Sequence, residues 1–452
     1  MKKEQTVELR ITDINNLGCG VGRYEGVVVF VKGAVTDDVV SAKIIKVTKS
    51  YCVGRLERII TPSAHRVEAD GCRAPLACGG CVYRNISYEY ELELKTNYVR
   101  NAFRKAGLSE VSVLPTKSAG REYGYRNKAQ YPVVQTKNGI KAGFYASKTH
   151  NIIPCENCVI QNEEFAPIVD FVCRFGDSHG WSVYDEGTGR GLLRHIYMRI
   201  GEKTGEIMVC LVINGDTLPS EAEFANSIIG NFPEIKSVMI NKNTENTNVV
   251  LGKEYRLLFG KSYIEDELCT LRFKISPDSF YQVNRDGAEL LYGIAKEKAE
   301  LSGNEILMDL YCGTGTIGLS MAEKAKKLCG IEIVSAAVDC ARENAKENGI
   351  SNAEFLCADA GSKEVILSAA GGVRPDVVVI DPPRKGSTRE LVSTLADLCV
   401  PRIVYVSCDP DTLARDCVWF SECGYEVGVV QPVDLFPRTG HVESVVCLTR
   451  KE

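Results

Sequence analysis

No stretch of this 452-residue chain is apolar over the length needed to cross a bilayer, which argues against a membrane-embedded protein. The basic residues of MKKEQTVELR have no apolar run behind them, so the N-terminus does not read as a secretory signal and a cytoplasmic protein is expected. The chain has no internal repeat and no low-complexity segment. It also lacks a large charge of one sign, with a net charge of only −5. That balance alone argues weakly against a polyanion partner, but it hides an asymmetry. Residues 84–148 carry 12 Lys and Arg against 5 Asp and Glu, and residues 1–66 carry 11 against 7. A basic N-terminal half of this kind suits a nucleic-acid partner, although a solvated mixed surface would look the same.

Cysteine is abundant, at 19 residues. In a long chain from a reducing compartment a disulfide framework is not expected, so most of these thiols should be small core residues and a few should be ligands or nucleophiles. The length calls for more than one domain. Residues 1–61 read as short strands separated by glycine turns, the pattern of a small barrel of the oligonucleotide-binding type. Residues 62–82 hold the cluster GCRAPLACGGC. Residues 83–268 open with a helical stretch at 88–106 and continue as mixed α+β. Within them YGYRNKAQYPV (123–133) interleaves aromatic and basic residues as RNA-facing strands do. From residue 269 to 452 strands alternate with helices, which predicts an α/β, Rossmann-like, doubly wound parallel sheet.

The chemistry concentrates in that last segment. Gly313-Thr-Gly315-Thr-Ile-Gly318 fits G-x-G-x-x-G directly after a strand, where glycines allow a tight turn and close approach of a nucleotide ligand. Glu332 lies at the end of the next strand, placed for two ribose hydroxyls, and Asp359 at the end of the one after. A dinucleotide oxidoreductase is one reading of that pattern. Asp309 before the turn favours a methyl-donor loop instead. Asp381-Pro382-Pro383-Arg384 closes the fourth strand; the two prolines stiffen an extended loop beside a flat substrate. Arg384 stands where amino-directed methyltransferases have an aromatic residue, so an exocyclic amine is not the expected target. Cys408, in VSCDP, ends the fifth strand across the same cleft. Glu443 follows in HVES, two residues after His441. One thiol and one carboxylate in one pocket is what methylation at carbon 5 of uracil needs, because that carbon must be activated by addition at carbon 6 and then lose its proton.

SFYQVN, DLYCGTGTIGL, DPPRKG, VSCDP and PRTGHVES, in this order from Ser279 to Ser444, resemble the motif series of the RNA uracil-5-methyltransferases, and within them the branch acting on 23S ribosomal RNA. The resemblance implies a class I S-adenosylmethionine methyltransferase fold with an N-terminal RNA-binding TRAM domain. It implies Cys408 as nucleophile and Glu443 as base, with Gln282, Tyr311, Gly313, Glu332, Asp359 and Asp381 toward S-adenosylmethionine. It also implies a [4Fe–4S] cluster on Cys72, Cys78, Cys81 and Cys158; spacing alone would equally allow zinc, and Cys155 could compete with Cys158. The expected partner is single-stranded or loop RNA, neither DNA nor a membrane, bound by a monomer that flips its target base.

Three alternatives stand beside this reading. The transfer-RNA branch is expected to be shorter and to lack the barrel and the cysteine cluster. A cytosine-5 enzyme would carry Pro-Cys on the fourth strand. A non-catalytic RNA-binding or assembly factor would have no need of Cys408 and Glu443.

Overall fold

The computed structural model describes residues 1–68 and 71–451. Strands β1 (Thr6–Ile14), β2 (Cys19–Tyr24), β3 (Val27–Lys32), β4 (Val39–Val47) and β5 (Tyr51–Thr61) close into a barrel in the order β1-β2-β3-β5-β4. In β1 the side chains of Val7, Leu9 and Ile11 alternate into the barrel core while their neighbours face water, the period-two pattern that the sequence carries. The turn between β1 and β2 leaves the barrel and touches the far end of the chain. Tyr83 donates its hydroxyl to Asn15 O at 3.3 Å, and Val82 donates its N–H to Arg438 O at 2.9 Å. A side chain at Gly440 would collide with Asn16 O, so glycine is required there.

After the cysteine-rich segment come α1 (Tyr88–Lys105) and the short β6 (Lys117–Ser118). The helix is N-capped by Ser87, which accepts from Tyr90 N. Next follow β7 (Lys128–Thr136), β8 (Gly139–Tyr145), β9 (Ile152–Pro154), α2 (Phe165–Ser178), β10 (Leu193–Ile200), β11 (Ile207–Ile213), α3 (Glu221–Asn231), β12 (Ile235–Lys242) and β13 (Glu254–Gly260). Their strands form one mixed sheet, ordered β13-β12-β11-β10-β7-β8-β9. Strands β10 and β11 are buried along their whole length. Tyr125 and Tyr131, expected on an RNA-facing strand, are instead core residues. The cations interleaved with them, Arg126 and Lys128, face a cavity.

A hairpin, β14 (Ile264–Leu268) and β15 (Leu271–Ile275), and α4 (Arg285–Ala299) lead into the C-terminal sheet. That sheet comprises β16 (Ile306–Leu310), β17 (Lys327–Glu332), β18 (Ala353–Cys357), β19 (Val377–Ile380), β20 (Arg402–Ser407), β21 (Tyr425–Val427), β22 (Gln431–Asp434) and β23 (Glu443–Arg450). Helices α5 (Thr316–Met321), α6 (Ser335–Glu347), α7 (Lys363–Ala369), α8 (Arg389–Asp397) and α9 (Pro410–Glu422) connect them. The order is β18-β17-β16-β19-β20-β23-β22-β6, with β21 on β23. The first five strands are parallel and β23 runs antiparallel to β20. Alternate residues feed two cores: Val377 and Val379 face one layer, Val378 and Ile380 the other. A strand buried on both faces reads as an unbroken apolar run, as VVVI does. Although distant in sequence, α1 and β6 belong to this layer, since Val99, Ala102 and Phe103 pack with Leu391, Phe420 and Val446. The strand order reverses between β16 and β19, the place where doubly wound sheets open a crevice for a ligand.

Candidate active site and a cysteine-lined cavity

At the crevice the chain leaves β16 through a turn that only special backbone geometry allows. Tyr311, Gly313 and Gly315 have φ of 64°, 54° and 82°. Gly318 N–H donates to Asp309 Oδ2 at 2.8 Å, and a Cβ there would stand 2.8 Å from that same oxygen. The glycine therefore lets the helix start sit on the carboxylate. Asp309 Oδ1 is buried without a hydrogen-bond partner among the described residues, and burial raises this acid to about 7. Glu332 accepts from Gly313 N at 3.2 Å and from Val334 N at 2.9 Å, which fixes both oxygens at the crevice rim. Beside it Ile333 and Val334 are 69% and 54% exposed, an apolar shelf at a strand end. Gln282 is half-buried beside buried Tyr292. Tyr311 is half-buried, and burial, then the Asp359 charge, raises its hydroxyl. Asp359 is exposed and accepts from Gly361 N at 3.0 Å. A rim of carboxylates fixed by backbone N–H groups, beside an apolar shelf, has the acceptor set for a nucleoside-bearing methyl donor.

The neighbouring strands β19, β20 and β23 deliver the reactive groups. Asp381 follows the last residue of β19 and Cys408 the last of β20, while Glu443 opens β23, where Ser407 pairs with Ser444. Asp409 caps α9 by accepting from Asp411 N and Thr412 N, with Pro410 at its start, and this pins the loop that carries Cys408. The electrostatics tie these groups together. Burial, then the Asp381 charge, pushes Glu443 up to about 8, against the pull of Arg384. Burial alone takes Asp381 up to about 7. Burial, then Glu443 and Asp381, raises the Cys408 thiol to about 11, again opposed by Arg384. His441 is lowered by burial and by Arg384. Arg384 is therefore the cation that serves the whole pocket. Its place after Pro-Pro was visible in the sequence, but its electrostatic role was not.

Cys72, Cys78, Cys81, Cys155 and Cys158 line one cavity of about 480 Å³. Cys158 is drawn below the usual thiol value by the Cys155 S–H and by the N–H groups of Ile160 and Gln161. Burial pushes Cys81 up to about 12, helped by Cys158, Cys72 and Cys78. Arg84 donates to Ala74 O at 2.7 Å and to Cys72 Sγ at 3.6 Å. Among the described residues no Asp or Glu lines the cavity, while Arg84, Arg126 and Lys128 do. Its far wall is Thr439, Gly440 and His441, the approach to Glu443. Among the described residues no three His, Cys, Asp or Glu side chains stand close enough together for a single metal ion.

A doubly wound sheet with a glycine turn and carboxylates at its switch point defines a class I methyltransferase fold. Comparison with known proteins takes this further. The family described as tRNA (Uracil-5-)-methyltransferase matches residues 233–451, and a TRAM domain matches residues 2–56. An uncharacterized RNA methyltransferase of Clostridium tetani is 42% identical over 99% of this chain and 97% of its own length. One from Bacillus cereus is 41% identical over 100% of this chain and 98% of its own. The crystal structure of Pyrococcus abyssi tRNA (uracil-54, C5)-methyltransferase in complex with S-adenosyl-L-homocysteine superposes with a TM-score of 0.80 at 26% identity, over 98% of this chain and 100% of that one. The chain belongs to the RNA uracil-5-methyltransferase family and carries an N-terminal TRAM domain. Because a transfer-RNA enzyme matches nearly the full length, chain length and the N-terminal barrel do not separate the two RNA substrates, contrary to the expectation from sequence.

Proposed function

We propose that this protein methylates carbon 5 of a uridine in 23S ribosomal RNA, with S-adenosylmethionine as donor, through a covalent adduct on Cys408. The observation that carries the reading is the arrival of Cys408, Glu443 and Asp381 at one crevice from three adjacent strand ends. Bound S-adenosylmethionine supplies an electrophilic methyl group; Gln282, Tyr311, Gly313, Glu332, Asp359 and Asp381 are the residues that would hold it. The donor is supported by the rim described above and by the S-adenosyl-L-homocysteine in the P. abyssi neighbour. The Cys408 thiolate adds to carbon 6 of a flipped-out uracil, and the carbon 5–carbon 6 π pair moves toward the 4-carbonyl oxygen. Carbon 5 then takes the methyl group. Glu443 removes the carbon-5 proton, the double bond re-forms and the thiolate leaves. Arg384 offsets the negative charge that these steps place in a buried site.

The cysteine-lined cavity is the proposed seat of a [4Fe–4S] cluster on Cys72, Cys78, Cys81 and Cys158. Five thiols line one chamber with Arg84 and Arg126 against them and, among the described residues, no carboxylate, a fit for an anionic thiolate-bound group. The cluster has a structural or RNA-positioning role, since the transfer involves no redox step. The reading also places the protein in the cytoplasm as a monomer; among the described residues no helix is long and apolar enough to cross a membrane.

The cysteine cluster and the motif series support ribosomal RNA. The likeness to the P. abyssi enzyme favours transfer RNA as the second reading. The test is transfer of label from S-adenosylmethionine to 23S ribosomal RNA and to transfer RNA, each free of 5-methyluridine, followed by nucleoside analysis. Labelled 5-methyluridine in ribosomal RNA supports the proposal. Label in transfer RNA alone replaces it with the second reading, and no label in either RNA sinks both.

A further inference from the structure

A second cavity, of about 510 Å³, opens between the central sheet and the SFYQVN segment. Lys128, Arg199, Lys253, Tyr255 and Phe280 line it, and it shares Lys128 and Gln130 with the cysteine-lined cavity. The two chambers meet along one face of the β7–β10 pair. There Lys128 lies opposite Arg199 and Gln130 opposite Tyr197, so period-two alternation puts all four side chains on the same side.

The charge on this face is unbalanced. Lys128 makes no hydrogen bond and no ion pair among the described residues, and none of Arg126, Arg199 and Lys253 meets a carboxylate there. Arg199 is nearly fully buried and spends its donors on the carbonyls of Pro277 and Ser279 and the Tyr197 hydroxyl, all neutral. Among the described residues one acid lines the second cavity, Asp278, which accepts from Ser276 Oγ at 2.8 Å and forms no ion pair. Burial, with Arg199 and Arg126 behind it, holds Lys128 down at about 8. Charges this close are normally paired, because gathering like charges away from water costs free energy. Arg84 and Arg126 sit against Cys72 and Cys158 and have the thiol chamber to serve. Arg199 and Lys253 border the other cavity, as Lys128 also does, and among the described residues none of the three forms an ion pair in it.

We infer that Lys128, Arg199 and Lys253 form a binding site for a backbone phosphate of the substrate RNA, beside the crevice that takes the target uridine. The occupant is a phosphodiester of the substrate chain, because the cavity adjoins the crevice: the exposed ring of Phe280 lines it, and the Phe280 carbonyl accepts from Thr314 of the glycine turn at 3.4 Å. A cationic floor between aromatic faces is the construction that holds single-stranded nucleic acid. The site rests on the proposed RNA substrate and adds to it the residues that fix the register of the strand.

The test is RNA binding by the full-length protein as a function of salt, for wild type, Lys128→Gln and Lys128→Arg, using an RNA that wild type methylates. Each phosphate contact on a single strand steepens log K against log salt by about 0.7. Lys128→Gln should therefore lower the slope by about 0.7, which is roughly fivefold weaker binding at 0.1 M salt if affinities converge at 1 M. Lys128→Arg should restore both slope and affinity. The melting temperature of RNA-free Lys128→Gln should be no lower than that of wild type, because an unpaired cation has been removed. An unchanged slope in Lys128→Gln, or an Arg variant as weak as the Gln variant, would overturn the site while leaving the methyltransferase reading intact. A wild type that neither binds nor methylates RNA would overturn both.

Discussion

Replacing Glu443 by Gln keeps the shape of the side chain and removes its ionisation, and two opposite effects follow. In the folded protein burial pushes Glu443 up to about 8, against 4.5 in the unfolded chain. An acid whose pKa rises on folding costs nothing below the unfolded value, where both states are protonated. Above it the unfolded chain ionises and the native carboxyl does not, so stability falls as pH rises from 4.5 to 8 and levels off beyond. At pH 7 the cost is the 2.5 units between pH 7 and 4.5, or about 3 kcal/mol. Glu443→Gln should thus match wild type in unfolding midpoint near pH 4.5 and exceed it by up to about 3 kcal/mol at pH 7. Urea unfolding at several pH values, followed by circular dichroism, measures this. The same variant should fail to turn over. It can add Cys408 and accept the methyl group but cannot remove the carbon-5 proton, so the RNA should stay covalently attached and resist denaturation. A variant no more stable than wild type at pH 8, or one equally stabilised at pH 5, would refute the buried-acid argument.

Other outcomes follow from the same pocket. Arg384→Gln removes the cation that lowers both Cys408 and Glu443, so both groups titrate higher and the rise of kcat/KM with pH should move to the alkaline side by roughly a unit; an unmoved profile would deny Arg384 this role. Gly318→Ala drives a methyl group against the Asp309 carboxylate and Leu328, which should cost about 1–3 kcal/mol and weaken S-adenosylmethionine binding measured by calorimetry. Cys72→Ser, purified without oxygen, should lose iron and acid-labile sulfide measured by metal analysis. Wild type that carries stoichiometric zinc and no iron would contradict the cluster assignment.

The C-terminal half was legible because its grammar is local. Apolar runs such as VVVI mark strands buried on both faces, and reactive residues sit directly at their ends. The barrel was legible for a similar reason, in the alternation of Val7, Leu9 and Ile11. What stayed hidden was contact between distant segments. Lys95 and Glu91 look like an ordinary surface pair one turn apart. They are instead fully buried, with Lys95 Nζ 2.7 Å from both Glu91 and Asp434. Glu91 in turn accepts from Arg438 N at 2.7 Å, so α1 holds the loop leading to His441 and Glu443. Nothing at residue 91 or 95 signals a partner more than 300 positions away. The YGYRNKAQYPV stretch misled in part for the same reason: Tyr131 serves the central core, Tyr125 is buried with its hydroxyl on Pro437 O, and the aromatic rings beside its cations come from Tyr255 and Phe280.

The central claim is covalent attack by Cys408 on carbon 6 of a uridine, and a substrate that stalls after that attack tests it most directly. RNA in which the target uridine carries fluorine at carbon 5 has no proton there for Glu443 to remove. Incubated with S-adenosylmethionine and the protein, it should yield a denaturation-resistant complex whose peptide mass spectrum places the modified nucleotide, with its added methyl group, on Cys408. No complex, or a nucleotide attached to another cysteine, would contradict the account.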